Sequence, residues 1–382
     1  MIPNRMRVAV QALALCVLAG ACQTVRTTPP RRAPIPCDGA CGDTVSVQFL
    51  GVAGFVIRHG GDAVLTGPLF TTPGLPRVAL AGAFRSDTAF VRRRMTEMHV
   101  DTSGISAVLV GHAHYDHLLD VPYVARRFTP RARVYGNRAM VNQLPDADLQ
   151  RRFFIVEDFA ATQDGGGRWI YPKTDTLFRG PRPVSAADSS VRFLAVAAVH
   201  PAHLVKWIHA FGGGSEKRTV APQTAFDWRE GRVFAFVVEF LDPASRRVLF
   251  RVHFTDAPSW PGAGFPPRWV GGAGTYDLAL TCVGTFDQVP GQDIPGSFLR
   301  YTWPRHVVLG HWEDFFVRQE KPWHAIPLLK VDEYRRRVVR TLGDSTAYTL
   351  PAPGDEVRLC GCTTGPGRPV PPQQAPTPPA PR

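Results

Sequence analysis

The segment AVLVGHAHYDHLLD, residues 107–120, ends an apolar run in His112, His114, Asp116 and His117. Four polar side chains at the end of a buried strand are costly unless each finds a partner. Imidazoles mixed with carboxylates suit a divalent cation, with zinc as first choice in the absence of thiolates and iron or manganese as alternatives. Residues two apart in an extended chain share a side, so His112 and His114 can face one ion. The turn that follows would aim Asp116 and His117 at a second position nearby.

Three further apolar runs end in residues of the same kind. FLAVAAVHPAH, VLFRVHFTD and HVVLGHWEDFF offer His203, Asp256 and His311. Strand ends gathered on one edge of a sandwich would bring these side chains together, with one acid placed to bridge two metals. His203 is taken over His200 because the turn after VHPA carries it off the strand end; His200 stays as the alternative. His306 begins its strand and is read as structural, and His253 as a partner or core residue.

The elements that must position these residues are legible as patterns. TVSVQFLG, GFVIRHG and DAVLTGP are short β-rich runs punctuated by glycine. A helix is expected over 86–98 and another through DVPYVARRF. VRFLAVAAVH reads as a buried strand, RVFAFVVEFLD and RVLFRVHFTD as a hairpin around PASR, and YDLALTCVG and HVVLGH as two more buried strands. VDEYRRRVVRTL is an amphipathic helix with Asp332 near its start. Strands in both halves with helices between them predict sheets sandwiched by helices. The polar, glycine-rich region 158–190 reads as an insertion.

On these motifs the chain resembles the metallo-β-lactamase-fold hydrolase superfamily, over roughly residues 45 to 342. The resemblance implies an α/β fold, a four-layer αββα sandwich with a two-metal site at one edge. It implies that His112, His114 and His203 hold one zinc, that Asp116, His117 and His311 hold the other, and that Asp256 bridges them. Asp116 would orient a hydroxide shared by the metals and move its proton. GHWEDFF and VHPAHLVKW are most similar to the branch of ascorbate-lactonase-like proteins and N-acyl-phosphatidylethanolamine phospholipase D. True β-lactamases of the best-known subclass carry cysteine where this chain has Asp256. One departure is LTGP, with Gly67 where the family usually has an aspartate that supports the histidine loop. Its loss predicts more loosely oriented ligands, since Asp62 lies too far upstream to replace it.

The bulk composition sets the remaining bounds. The 382 residues carry a formal charge of +12, compatible with anionic substrates, a membrane surface or simply solvated arginines. No basic stripe interleaved with aromatics appears, so nucleic acid is not an expected partner. Residues 1–21 read as a signal peptide: a basic MIPNRMR, an apolar VAVQALALCVLAG and a small-residue AGAC. They resemble a bacterial lipoprotein signal, which makes Cys22 the lipidated first residue of a chain anchored in the cell envelope. Residues 22–43 are expected to form a Pro/Thr/Arg tether, 44–362 the hydrolase domain and 363–382 a disordered proline-rich tail.

Export to an oxidising compartment makes Cys37, Cys41, Cys360 and Cys362 disulfide candidates. A zinc knot is the rival, though C-x3-C and C-x-C are poor spacings for it. Trp207 and Phe211, beside FGGGSEKR, are candidates for a substrate lid, with an aromatic packing cluster as the alternative reading. The expected activity is metal-dependent hydrolysis of a phosphodiester or phospholipid-like ester, ahead of a lactone or amide. A degenerate binding lipoprotein is the reading from another class, and complete ligand retention argues against it. A di-iron redox enzyme of this fold usually carries a glutamate in place of the second histidine and a flavin domain, neither of which is here.

Overall fold

The computed structural model describes residues 24–30, 33–36, 41–163, 169–170, 178–179, 190–203, 211–214, 216–268, 270, 274–318 and 320–362. In chain order the strands are β1 (Cys41–Gly51), β2 (Gly54–His59), β3 (Asp62–Thr66), β4 (Ile105–Leu109), β5 (Arg133–Gly136), β6 (Phe153–Ile155), β7 (Thr162–Gln163), β8 (Trp169–Ile170), β9 (Phe178–Arg179), β10 (Val191–Ala198), β11 (Val233–Leu241), β12 (Val248–Phe254), β13 (Leu278–Cys282), β14 (His306–Gly310), β15 (Tyr348–Thr349) and β16 (Glu356–Cys362). One seven-stranded sheet has the order β16-β1-β2-β3-β4-β5-β6 and a second the order β15-β14-β13-β12-β11-β10-β9.

Alternation along the strands explains the layering. Val45, Val47 and Phe49 of β1 meet Phe193 and Ala195 of β10 and Phe234, Phe236 and Val238 of β11 in a core between the sheets. The other face of the first sheet, with Leu65 and Val108, packs on Val91 and Met95 of helix Thr88–Glu97 and on Val121 and Val124 of helix Val121–Arg127. Beyond the second sheet, Ala279, Val307 and Leu309 pack on helices Gly296–Thr302 and Val331–Leu342. The result is helix, sheet, sheet, helix, the αββα order expected from the sequence.

Strand direction then decides where the ligands go. β3, β4 and β5 are mutually parallel, as are β12, β13 and β14. β10 pairs antiparallel with β11, and β11 antiparallel with β12, so β10 runs with β12. The segments after β4, β10, β12 and β14 therefore leave at one edge of the sandwich, where parallel strand ends form a natural binding crevice.

Two sequence expectations are refined. Residues 24–30 do not behave as a tether: Val25 is buried, its amide donates to the Trp323 carbonyl at 2.9 Å, and the Thr28 amide donates to Leu350 at 2.8 Å. Backbone pairing overrides the proline-rich composition there. Cys41 and Cys360 form a disulfide with Cα atoms 5.2 Å apart, joining the first and last strands of one sheet. Cys22, Cys37 and the tail 363–382 lie outside the described residues, as does most of 158–190. No helix among the described residues is long and apolar enough to cross a membrane.

His253, the last residue but one of β12, is a core residue, one of the two readings the sequence left open. It is fully buried, with Nε2 2.9 Å from the Gly264 carbonyl, and burial pushes its pKa down to about 4. Below pH 6.5 the unfolded chain takes a proton at this position that the native state refuses. Stability therefore falls with acidification, by about 3 kcal/mol from this group between pH 6.5 and pH 4. Thermal unfolding of His253→Gln across that window should show a flatter acid limb than the parent protein.

Candidate metal centre

The histidine loop begins where β4 ends. Val110 donates to the Tyr135 carbonyl at 2.9 Å, and Gly111 then passes so close to Asp256 that a Cβ there would lie 2.2 Å from its Oδ1. Glycine at 111 is thus what lets the Asp256 carboxylate reach His112, whose Nδ1 is 3.0 Å from Oδ1 and whose amide donates to Oδ2 at 3.2 Å. His114 is extended and precedes the short helix Tyr115–Leu118, which carries Asp116 and His117 in its first turn. All four side chains are buried.

Three groups of potential ligands result, each with its donor atoms mutually within 4.8 Å. The first is His112, His114 and His200; the second His112, His117 and Asp256; the third Asp116, His117 and His311. Asp116 Oδ2 is 3.3 Å from both His117 Nε2 and His311 Nε2, and Asp256 Oδ2 is 3.8 Å from His117 Nδ1. The groups overlap at His112 and His117, so Asp256 stands between the other two.

His200 takes the place assigned to His203. His200 is two residues beyond the end of β10 and is buried; its Nδ1 is 2.7 Å from the Pro201 carbonyl, which leaves Nε2 for a cation. The turn at Pro201–Ala202 does carry His203 off the strand end, but into a second row. Its ring stacks on His200 with centroids 4.5 Å apart and lies 5.0 Å from His114. His311 occupies the left-handed region at φ 56°, as does Val52 at φ 53°. Its amide donates to the Val52 carbonyl at 2.5 Å, and the Val52 amide donates to Glu313 Oε1. Non-glycine residues in that region are strained and persist where the surroundings impose them, often at functional sites.

The electrostatics fit cation binding. Burial, then the neighbouring imidazoles His112 and His200, hold His114 well below the ordinary histidine range. Burial, then His203 and His112, does the same for His200, and burial lowers His311. Burial opposes ionisation of Asp116, but His117 and His311 outweigh it and keep the carboxylate charged; His112 and His117 act likewise on Asp256. Against its own burial, Asp116 and Asp256 raise His117. The centre therefore sets imidazoles held neutral at His114, His200 and His311 beside two ionised carboxylates, a donor set that suits a divalent cation. Nε2 of His112, Nε2 of His114 and Nδ1 of His311 are buried and make no hydrogen bond. Such atoms are costly to leave alone, and a metal ion would supply their partner.

Residues that sequence patterns did not single out hold the ligands. Gly67 is closed to any side chain, since a Cβ there would lie 2.4 Å from the His117 carbonyl oxygen. The loop is tied instead by buried Asp120, whose Oδ2 accepts from the amides of Phe70 and Thr71 at 2.8 Å. Its Oδ1 accepts from the hydroxyls of Thr71 at 2.8 Å and Ser86 at 2.6 Å. The loop thus has a tie of its own where the resemblance implied an aspartate at position 67. Asp120→Ala strands two buried amides and should cost about 3 kcal/mol and weaken metal binding by ~10–100-fold, measured by thermal unfolding and metal titration. Glu230 is a second such residue: its Oε2 is 3.6 Å from His114 Nε2, and its carbonyl accepts from the Ala113 amide at 2.9 Å.

Aromatic rings wall the centre. Phe211 lies 4.9 Å from His203, 5.7 Å from His114 and 5.3 Å from Phe226. Phe315 lies 5.5 Å from His311 and 4.5 Å from Phe316. The other lid candidate, Trp207, lies outside the described residues.

A model of the metallo-beta-lactamase superfamily matches residues 48–259, which include every candidate ligand except His311. No curated protein matches the sequence. Among solved structures, the chain is similar to Igni18, a metallo hydrolase from Ignicoccus hospitalis, at 14% identity, covering 83% of this chain and 98% of that one with TM-score 0.42. It is similar to the metallo-beta-lactamase fold protein YhfI from Bacillus subtilis at 14% identity, 83% and 99% coverage and TM-score 0.40. It is also similar to an isothiocyanate hydrolase from Delia radicum gut bacteria at 12% identity, 82% and 98% coverage and TM-score 0.42.

Proposed function

Because the chain belongs to the metallo-beta-lactamase superfamily, we propose that it is an exported two-zinc hydrolase acting on a phosphodiester or phospholipid-like ester. The observation that carries this reading is the overlap of the three His/Asp groups through His112 and His117. His112, His114 and His200 would hold one cation and Asp116, His117 and His311 the other, with Asp256 between them. Two such cations, when bound, would supply Lewis acidity and lower the pKa of a water. Asp116 would orient that nucleophile and take up its proton, since His117 and His311 keep this carboxylate ionised. Phe211, Phe226, Phe315 and Phe316 give the surroundings apolar walls suited to the hydrocarbon part of an amphiphile.

Nitrogen and carboxylate donors favour zinc over softer-ligand metals, with iron and manganese as the alternatives. The Cys41–Cys360 disulfide supports export, since such bonds persist in oxidising compartments. The lipoprotein-type signal adds anchoring at Cys22. The test is hydrolysis by the zinc-loaded, signal-less protein of a panel of phosphodiesters, lactones, amides, thioesters and β-lactams. Turnover of phosphodiesters ahead of the rest is expected, preference for a lactone or amide would move the substrate class, and failure on all would favour a binding lipoprotein.

A further inference from the structure

The first described residues are built into the segment that carries a metal ligand. Thr24 forms an antiparallel bridge with His324, and the Val25 amide donates to the Trp323 carbonyl at 2.9 Å. His324 in turn accepts from the Asp314 amide at 2.8 Å, Glu313 bridges Ala325, and the Ile326 amide donates to the Trp312 carbonyl at 3.1 Å. Three short extended stretches thus lie side by side: 24–25, 323–326 and 312–314. The last of them begins immediately after His311.

Two peptide units separate Cys22 from Thr24 and can span at most about 7 Å. Neighbouring extended stretches lie about 4.8 Å apart. An acyl chain on Cys22 would therefore be tethered within a short reach of this three-stretch ladder, which favours this face of the domain toward the lipid. The surface there has a suitable composition. Val317 and Leu328 are exposed apolar side chains, Trp323 is half-buried, and Arg318 and Lys321 are exposed cations against a single exposed acid in the same stretch, Glu320, while exposed Lys330 pairs with Asp287 at 3.6 Å. Apolar side chains with basic neighbours are what an interface of hydrocarbon and anionic headgroups accepts.

We propose that the surface formed by residues 315–318 and 320–330 lies against the membrane, so that the His311 side of the metal centre opens toward lipid and draws its substrate from the bilayer. This rests on the reading of Cys22 as a lipidated residue. It gives that anchor a second task, to set the orientation of the domain as well as to retain it. It also gives the phospholipid-like substrate a route to the aromatic walls at Phe315 and Phe316.

The test uses the full, processed chain in vesicles that contain anionic lipid and bromine-labelled acyl chains, with a fluorescent amino acid placed at one position at a time. Val317 and Leu328 probe the proposed face. Ser103 and Ala244 probe the opposite end, where β4 and β12 begin; all four positions are exposed, so the fold should tolerate the change. Loss of emission by bromine quenching is expected at 317 and 328 and not at 103 and 244. Equal quenching at all four, or quenching at 103 and 244 alone, would overturn the placement. Mass spectrometry of the same preparation reads the anchor separately. An unmodified Cys22 would remove the lipidation reading and the proposal with it, whereas an acylated chain with unquenched 317 and 328 would sink the placement alone.

Discussion

Asp256→Ala should abolish hydrolysis and reduce the metal content. The carboxylate is the partner of His112 through both amide and ring and faces His117 Nδ1 at 3.8 Å. Its removal leaves two buried imidazoles beside a hole and takes away the one group that stands between the outer ligand sets. Loss of partners that merely orient metal ligands costs ~10–100-fold, and removal of Asp256, which would itself help to hold the cations, should exceed that. Asp256→Asn keeps the volume and removes the charge, so it separates packing from ligation. It should restore much of the thermal stability and little of the metal. Paired metal analysis and steady-state hydrolysis check both variants; an Asp256→Ala protein that kept its full metal content and turnover would remove Asp256 from the centre.

Gly67→Asp, which restores the residue usual in the family, should damage this protein. The Cβ would sit 2.4 Å from a backbone oxygen, that of His117, and 3.7 Å from a Val110 methyl. The backbone at Gly67 cannot yield easily, because its amide donates to the Leu109 carbonyl at 2.9 Å, three residues before His112. Overpacking of this kind costs roughly 1–3 kcal/mol, and here the strain falls directly on a ligand loop. Gly67→Ala should show the same effect without the added charge. A lower unfolding temperature and weaker metal binding are expected for both. Tighter metal binding by Gly67→Asp would mean that the loop adapts and that Asp120 is not its essential tie.

The fold and most of the centre were legible because their signals are local. Apolar runs that end in His112, Asp256 and His311 place those residues at strand ends, and the compact spacing of His112, His114, Asp116 and His117 needs no tertiary information. The choice between His200 and His203 was different. Both follow the same strand, and the conformation at Pro201–Ala202 decides which ring turns inward. Asp120 and Glu230 were invisible for another reason: their partners are far away in sequence, Phe70 fifty positions from Asp120 and His114 more distant still from Glu230. Cysteine content announced a disulfide, but the choice of Cys41 with Cys360 needs the register of β1 against β16. Composition marked residues 24–30 as a tether because it counts prolines and cannot count backbone hydrogen bonds.

The most direct test of the account is a crystal structure of the zinc-loaded protein with anomalous scattering recorded at the zinc edge. Two peaks are predicted, one among His112, His114 and His200 and one among Asp116, His117 and His311, with Asp256 between them. A single peak, a first site built on His203 in place of His200, or no peak from a folded, zinc-saturated chain would contradict it.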